Sequence, residues 1–124
     1  MSQDIVSDAL NKMMNAKKAG KNTVEIKHTS KLLLSVLAIA KLKKYIKSYK
    51  VENNILNVEM AGIIGCNSIK PRFLIQVEDI DKYVKRYLPS KDIGILIIST
   101  SQGLMTHHTA QDKNLGGSLV AYFY

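Results

Sequence analysis

Hydrophobic positions in the first half of the chain alternate between helical and strand spacing. Val6, Ala9, Leu10, Met13 and Met14 recur every three or four residues between Asp4 and Ala16. This predicts an amphipathic helix with Asp4 or Ser2 as its cap. Thr23 to His28 alternates with Val24 and Ile26 on one side, the pattern of a strand. Thr29 or Ser30 then caps a second helix over 31–44, with Leu33, Val36, Leu37 and Ala40 as its inner stripe and Leu32 and Ile39 widening it. Tyr45–Lys50 and Ile55–Met60 read as the arms of a hairpin across Glu52-Asn53-Asn54, and Gly62 and Gly65 mark a turn region. The order is α-β-α-β-β.

The second half carries shorter signals. Pro71-Arg72-Phe73 opens it, and Phe73, Ile75 and Val77 alternate as a strand. Asp79 to Leu88 is a short helix with Ile80, Tyr83, Val84 and Tyr87 on one side, stopped by Pro89. Ile93–Ile98 is a continuous apolar run, as a buried strand requires. Ser99–Gly103 reads as a loop, Thr106–Asn114 as a short helix, and Gly116-Gly117 as a turn into a last strand, Leu119–Tyr124. The expected fold class is α+β in two small lobes. Residues 1–68 form a basic N-terminal α/β lobe, and residues 69–124 form a C-terminal lobe of helices and short strands that carries the Ser99–Gly103 loop.

Charge sharpens this division. The net charge of the 124 residues is +8. Residues 1–50 hold 11 lysines against Asp4, Asp8 and Glu25, whereas the remainder balances seven basic with seven acidic residues. An excess confined to one lobe points to a polyanionic partner there. A solvated, lysine-rich surface from a compositionally biased genome is the competing explanation. No apolar run reaches the roughly 18 residues that span a bilayer. The acidic, short start does not fit a signal peptide, so a cytosolic protein is expected. Cys66 is the single cysteine, which rules out an internal disulfide and a thiolate zinc site, and nothing near it in sequence would activate the thiol.

Catalytic chemistry finds little support. His107 and His108 are adjacent and diverge on any regular element, whereas a helical metal pair needs spacing i, i+4. No glycine-rich phosphate loop of the strand–turn–helix kind is present, and Ser99-Thr100-Ser101 lacks the small flanking residues of a nucleophile elbow. A hydrolase using His107, His108 and these hydroxyls remains as a remote alternative. The same loop suits RNA: three hydroxyls and the Gln102 amide both donate and accept, as phosphates, 2′-hydroxyls and the shallow groove require. Gly116 and Gly117 would permit close backbone approach to a ligand. A capped turn and a tight hairpin explain the same residues equally well. Tyr45, Tyr49, Tyr122 and Tyr124 are candidates for base stacking or for packing.

Residues 99–107, Ser-Thr-Ser-Gln-Gly-Leu-Met-Thr-His, resemble the signature of the family of the eighth protein of the small ribosomal subunit. The resemblance continues through Ala110 and from Gly116 to the Ala121-Tyr122-Phe123-Tyr124 end, which is similar to the archaeal and eukaryotic branch. Ile69-Lys70-Pro71-Arg72-Phe73 and Leu88-Pro89-Ser90-Lys91-Asp92-Ile93-Gly94 fit that branch, and Asp8-Ala9-Leu10, Asn15-Ala16, Gly20-Lys21 and Ser30-Lys31-Leu32 follow the family order. Departures fall at Gln102 and Ser118, where bacterial members usually carry lysine and glutamate, at His108, and around Cys66, which keeps the family cysteine without its neighbours.

The resemblance implies a cytoplasmic, non-catalytic structural constituent of the small subunit, with no cofactor, metal or small-molecule substrate. It implies direct binding to the central domain of small-subunit rRNA, neighbouring ribosomal proteins as partners, no membrane and no homo-oligomer. Carried over by residue, Ser99, Thr100, Ser101, Gln102 and Gly103 form the main rRNA loop, with His107, Gly116, Gly117 and Ser118 beside it. Lys12, Asn15, Lys17, Lys18, Lys21 and Lys31 face the RNA backbone from the first lobe. A generic basic RNA-binding protein or RNA chaperone is the alternative.

Overall fold

Helix α1 (Ile5–Lys18) buries Val6, Ala9, Leu10 and Met13, the stripe its spacing predicts. Burying side chains the size of Leu10 and Met13 contributes about 1.5–3 kcal/mol each. The helix closes on Gly20 (φ 79°), and the Lys21 N–H donates to the Ala16 carbonyl at 2.9 Å. That six-to-one bond with a left-handed glycine is a Schellman cap. In the computed structural model, residues 5–69, 74–90 and 93–124 are described. The proposed caps Ser2 and Asp4, and Pro71, Arg72, Phe73, Lys91 and Asp92, lie outside them. The chain divides into two compact units, Met1–Cys66 and Asn67–Tyr124.

The first unit continues through β1 (Thr23–Ile26), α2 (Lys31–Leu42), β2 (Ile46–Glu52) and β3 (Ile55–Met60). Ser30 caps α2, its Oγ accepting from the Leu33 N–H at 3.1 Å. Strand order is β1–β3–β2, antiparallel throughout. Asn53 and Asn54 both take positive φ (52° and 64°), the combination a two-residue hairpin with the native twist demands and asparagine tolerates. Lys44 also takes positive φ (69°), at the end of α2, where the Tyr45 N–H donates to the Ala40 carbonyl. Leu33, Val36, Leu37, Leu56 and Val58 fill the core. Cys66 is buried, with Sγ 3.9 Å from the Leu10 carbonyl. Burial pushes its thiol up to about 12, and the Lys17 charge only partly opposes this.

The second unit holds β5 (Leu74–Ile75), α3 (Ile80–Tyr87), β6 (Ile95–Thr100), β7 (Gly103–Thr106), α4 (His107–Asp112) and β8 (Gly117–Phe123). Its sheet runs β4–β8–β6–β7, where β4 is Cys66–Ser68, and β5 also pairs with β8. The β6 residues Ile95–Ile98 are buried, as that part of the apolar run predicts, whereas Ile93 at its start is 50% exposed, lies before the strand and forms an isolated bridge with Ser90. Ile69, Ile80, Val84, Leu96, Ile98 and Leu119 anchor this core. The fold class is α+β.

Three sequence expectations change. The stretch Ser99–Gly103 is not a free loop: Ser99 and Thr100 belong to β6, Gly103 opens β7, and only Ser101 and Gln102 turn. The turn region after Gly62 contains a strand, Cys66–Ser68. Among the described residues, the alternation Phe73–Ile75–Val77 yields a strand at Leu74–Ile75 and stops short of Val77, which enters a turn of 3-10 helix, Val77–Asp79, that leads into α3.

Candidate nucleic-acid interface

The β6–β7 hairpin is built outward from a buried strand. After Ile98 the chain emerges, and Ser99, Ser101, Gln102 and Gly103 are exposed. Thr100 fixes the turn from within: its Oγ1 donates to the Gly103 carbonyl at 2.9 Å and accepts from the Gln102 N–H at 3.1 Å. Its hydroxyl is thereby engaged, while the Ser101 hydroxyl and Gln102 amide stand on a turn whose geometry is already set. Gly103 takes φ 104°, a backbone angle that L side chains rarely adopt, and a Cβ there would meet open space. Glycine is needed at 103 for conformation rather than for room.

Cross-strand register extends this surface. Ser99 stands opposite Leu104 on one side and Ser118 on the other, and Ser118 stands opposite Leu74. Directly opposed residues share a face of the sheet. Leu104, Ser99, Ser118 and Leu74 therefore form one row across four strands, two hydroxyls between two aliphatic side chains. Leu74 is 81% exposed. The two leucines carry no mark in the sequence that would place them at the site. Only strand register reveals them, and β7 was not legible.

Gly116 and Gly117 are required by the packing of the chain itself. A Cβ on Gly117 would lie 2.2 Å from the Ser99 carbonyl oxygen, and one on Gly116 would lie 2.5 Å from the Ile75 carbonyl oxygen. These glycines let the chain's own strands close on each other beneath the hairpin.

His107 also needs correction as a surface contact. It is 2% exposed, and its Nδ1 accepts from the Leu96 N–H at 3.1 Å. The proton of the neutral ring is therefore on Nε2, which is buried and has no hydrogen-bond partner among the described residues. Burial, reinforced by neighbouring His108 and weakly opposed by Asp81, lowers the pKa to about 4. His107 fastens the start of α4 to β6. Thr106 caps that helix by accepting from the Thr109 N–H, and Gln111 donates to Asp81 at 2.8 Å. The lone pair that a hydrolytic base would use is taken by a backbone amide.

In the first unit, α1 and β1 border a cleft of about 510 Å³ lined by Asn15, Lys21, Glu25 and Asn57 among others. A second cleft of about 390 Å³ shares Asn15 and adds Lys12, Asp8 and His28. Lys12, Asn15 and Lys21 thus line clefts linked through Asn15, with Asn57 as a contributor the sequence does not flag. Lys17 is engaged elsewhere, its Nζ donating to the Ile64 carbonyl at 3.1 Å. Lys18 and Lys31 are exposed, at the end of α1 and the start of α2.

The tyrosines mostly pack. Tyr122 stacks between Tyr87 (5.5 Å between centroids) and Tyr124 (6.1 Å) against the second core. Among the described residues, no group of three or more His, Cys, Asp or Glu side chains is placed to hold a metal ion. No described helix is long and apolar enough to cross a membrane.

Comparison with known proteins bears on this arrangement as a whole. The family model described as ribosomal protein S8 matches residues 4–124. The small ribosomal subunit protein uS8 of Archaeoglobus fulgidus (strain ATCC 49558 / DSM 4304 / JCM 9628 / NBRC 100126 / VC-16) is 43% identical over the full length of both chains. That of Nanoarchaeum equitans (strain Kin4-M) is 36% identical, again over the full length of both. With every described element of both units inside the match, the chain belongs to the ribosomal protein S8 family, the structural components of the small ribosomal subunit.

Proposed function

We propose that this chain binds the central domain of small-subunit rRNA directly, near a helical junction, and supports assembly of the platform as a single copy in the cytoplasm. The observation that carries the reading is the β6–β7 turn, where Thr100 pre-sets the geometry that offers Ser101 and Gln102 to a ligand. A turn ordered before binding loses little entropy on contact, so each hydrogen bond it makes counts toward specificity. Ser99 and Ser118 extend the donor–acceptor surface across the sheet, a pattern suited to 2′-hydroxyls and phosphates.

The first unit supplies the complementary term. Lys12, Asn15, Lys18, Lys21 and Lys31 reach for backbone phosphates, an attraction that is independent of sequence and weakened by salt. Lys17, tied to the Ile64 carbonyl, contributes charge rather than a free ammonium. His107 acts from beneath the surface, and the half-buried Gly116 and Gly117 hold together the strands that present it. No step of bond making or breaking is assigned to any residue.

The test is binding to a central-domain rRNA junction from the same organism, set against a scrambled RNA of equal length across a salt series. The expected result is a preference of roughly two orders of magnitude or more for the junction, maintained as salt rises. Equal binding that vanishes with salt would leave only a generic basic RNA-binding protein.

A further inference from the structure

We infer that an exposed groove at the C-terminal end of α2 docks an acidic protein segment carrying an apolar anchor. The groove, about 410 Å³, is lined by Ala38, Lys41, Leu42 and Lys44 at the helix end and by Tyr49 of β2. Leu42 lies off the stripe that α2 buries and is 75% exposed, and Ala38 is exposed beside it. An exposed leucine on a basic rim is not needed for solubility and has no role in the core.

The charges around it are not neutralised from within. The hairpin carboxylates Glu59 and Glu52 pair with Lys47 and Lys50. Among the described residues, Lys41, Lys43 and Lys44 have no carboxylate partner. Lys44 holds its place in a left-handed backbone conformation (φ 69°) that glycine usually occupies at a helix end. A cationic wall over an aliphatic floor complements glutamates or aspartates flanking a leucine or phenylalanine.

RNA fits this groove less well. Bases bind exposed aromatic faces. Tyr49 is half-buried, and the Lys41 ammonium sits 5.9 Å over its ring. The inference does not rest on the rRNA reading, which uses the α1–β1 clefts and the β6–β7 turn.

The experiment is a methyl-NMR titration of the full chain with three probes. These are a short peptide of glutamates interrupted by leucine and phenylalanine, a polyglutamate of the same length, and a single-stranded RNA of the same net charge. The anchored peptide is expected to bind about tenfold more tightly than polyglutamate, the effect of burying one leucine-sized anchor. It should shift the methyls of Ala38 and Leu42. Leu42→Ser should remove that advantage without moving the urea midpoint, because the side chain is exposed. Equal binding of polyglutamate, tighter binding of the RNA at the same methyls, or an unchanged affinity in Leu42→Ser would each overturn the inference.

Discussion

The two units offer polar groups to the outside in opposite ways. In the first, the side chains proposed to face RNA are long and charged: Lys12 and Lys18 are exposed on α1, and Lys12 and Lys21 line clefts that also contain Asp8 and Glu25. In the second, they are short, neutral and set on a strand whose other residues are buried, with Thr100 pinning the turn and Gly117 admitting the Ser99 carbonyl. Flexible cations attract at a distance and tolerate small displacements. Short hydroxyls act only at contact, so their value depends on everything that fixes the strand. The same RNA would feel the first unit as a field and the second as a shape.

The strongest challenge to this contrast is Gly117→Val. Its side chain would start 2.2 Å from the Ser99 carbonyl oxygen, and the strands must separate. A loss of stability of about 3 kcal/mol or more is expected by urea unfolding, together with loss of junction preference in the binding assay. Acidification probes the support beneath the hairpin. The folded protein holds His107 neutral down to about pH 4, whereas the unfolded chain takes up its proton below about 6.5. This contribution is fully present above about pH 6.5 and is lost as pH falls toward about 4. It amounts to up to about 3 kcal/mol. Denaturant midpoints measured through that window should fall more steeply for the native chain than for His107→Asn.

Ser101→Ala tests the contact itself. It should weaken junction binding by about 1–3 kcal/mol at every salt concentration while leaving the unfolding midpoint unchanged. The smallest effect is expected for Lys18→Ala: little loss of affinity at moderate salt, and a slope of log affinity against log salt that is shallower by about one counterion. If Ser101→Ala flattened the salt slope and Lys18→Ala did not, the contrast between the units would be reversed.

Much of the fold was legible because the signals are local. The stripe Val6–Met13, the Ser30 cap and the adjacent asparagines of the β2–β3 turn each act within a few residues, so spacing and side-chain chemistry identify them. Strand β7 was not legible. Gly103-Leu-Met-Thr is only four residues long, barely alternates and runs directly into the cap of α4. The site divides the same way. The exposed Ser101 and Gln102 follow from a polar stretch after a buried run. The burial of His107 and the contacts of Gly116 and Gly117 depend on strands distant in sequence, and a histidine or a glycine pair carries no mark of which neighbour it will meet.

Cys66 has a practical consequence. Thiolate, not thiol, reacts with alkylating reagents, and a thiol with a pKa pushed up to about 12 inside the fold is nearly all in the protonated form at neutral pH. As the sole sulfhydryl in the chain, it becomes a clock for opening. The rate of iodoacetamide labelling would count the moments when the Leu10 carbonyl and its neighbour part, without any added dye.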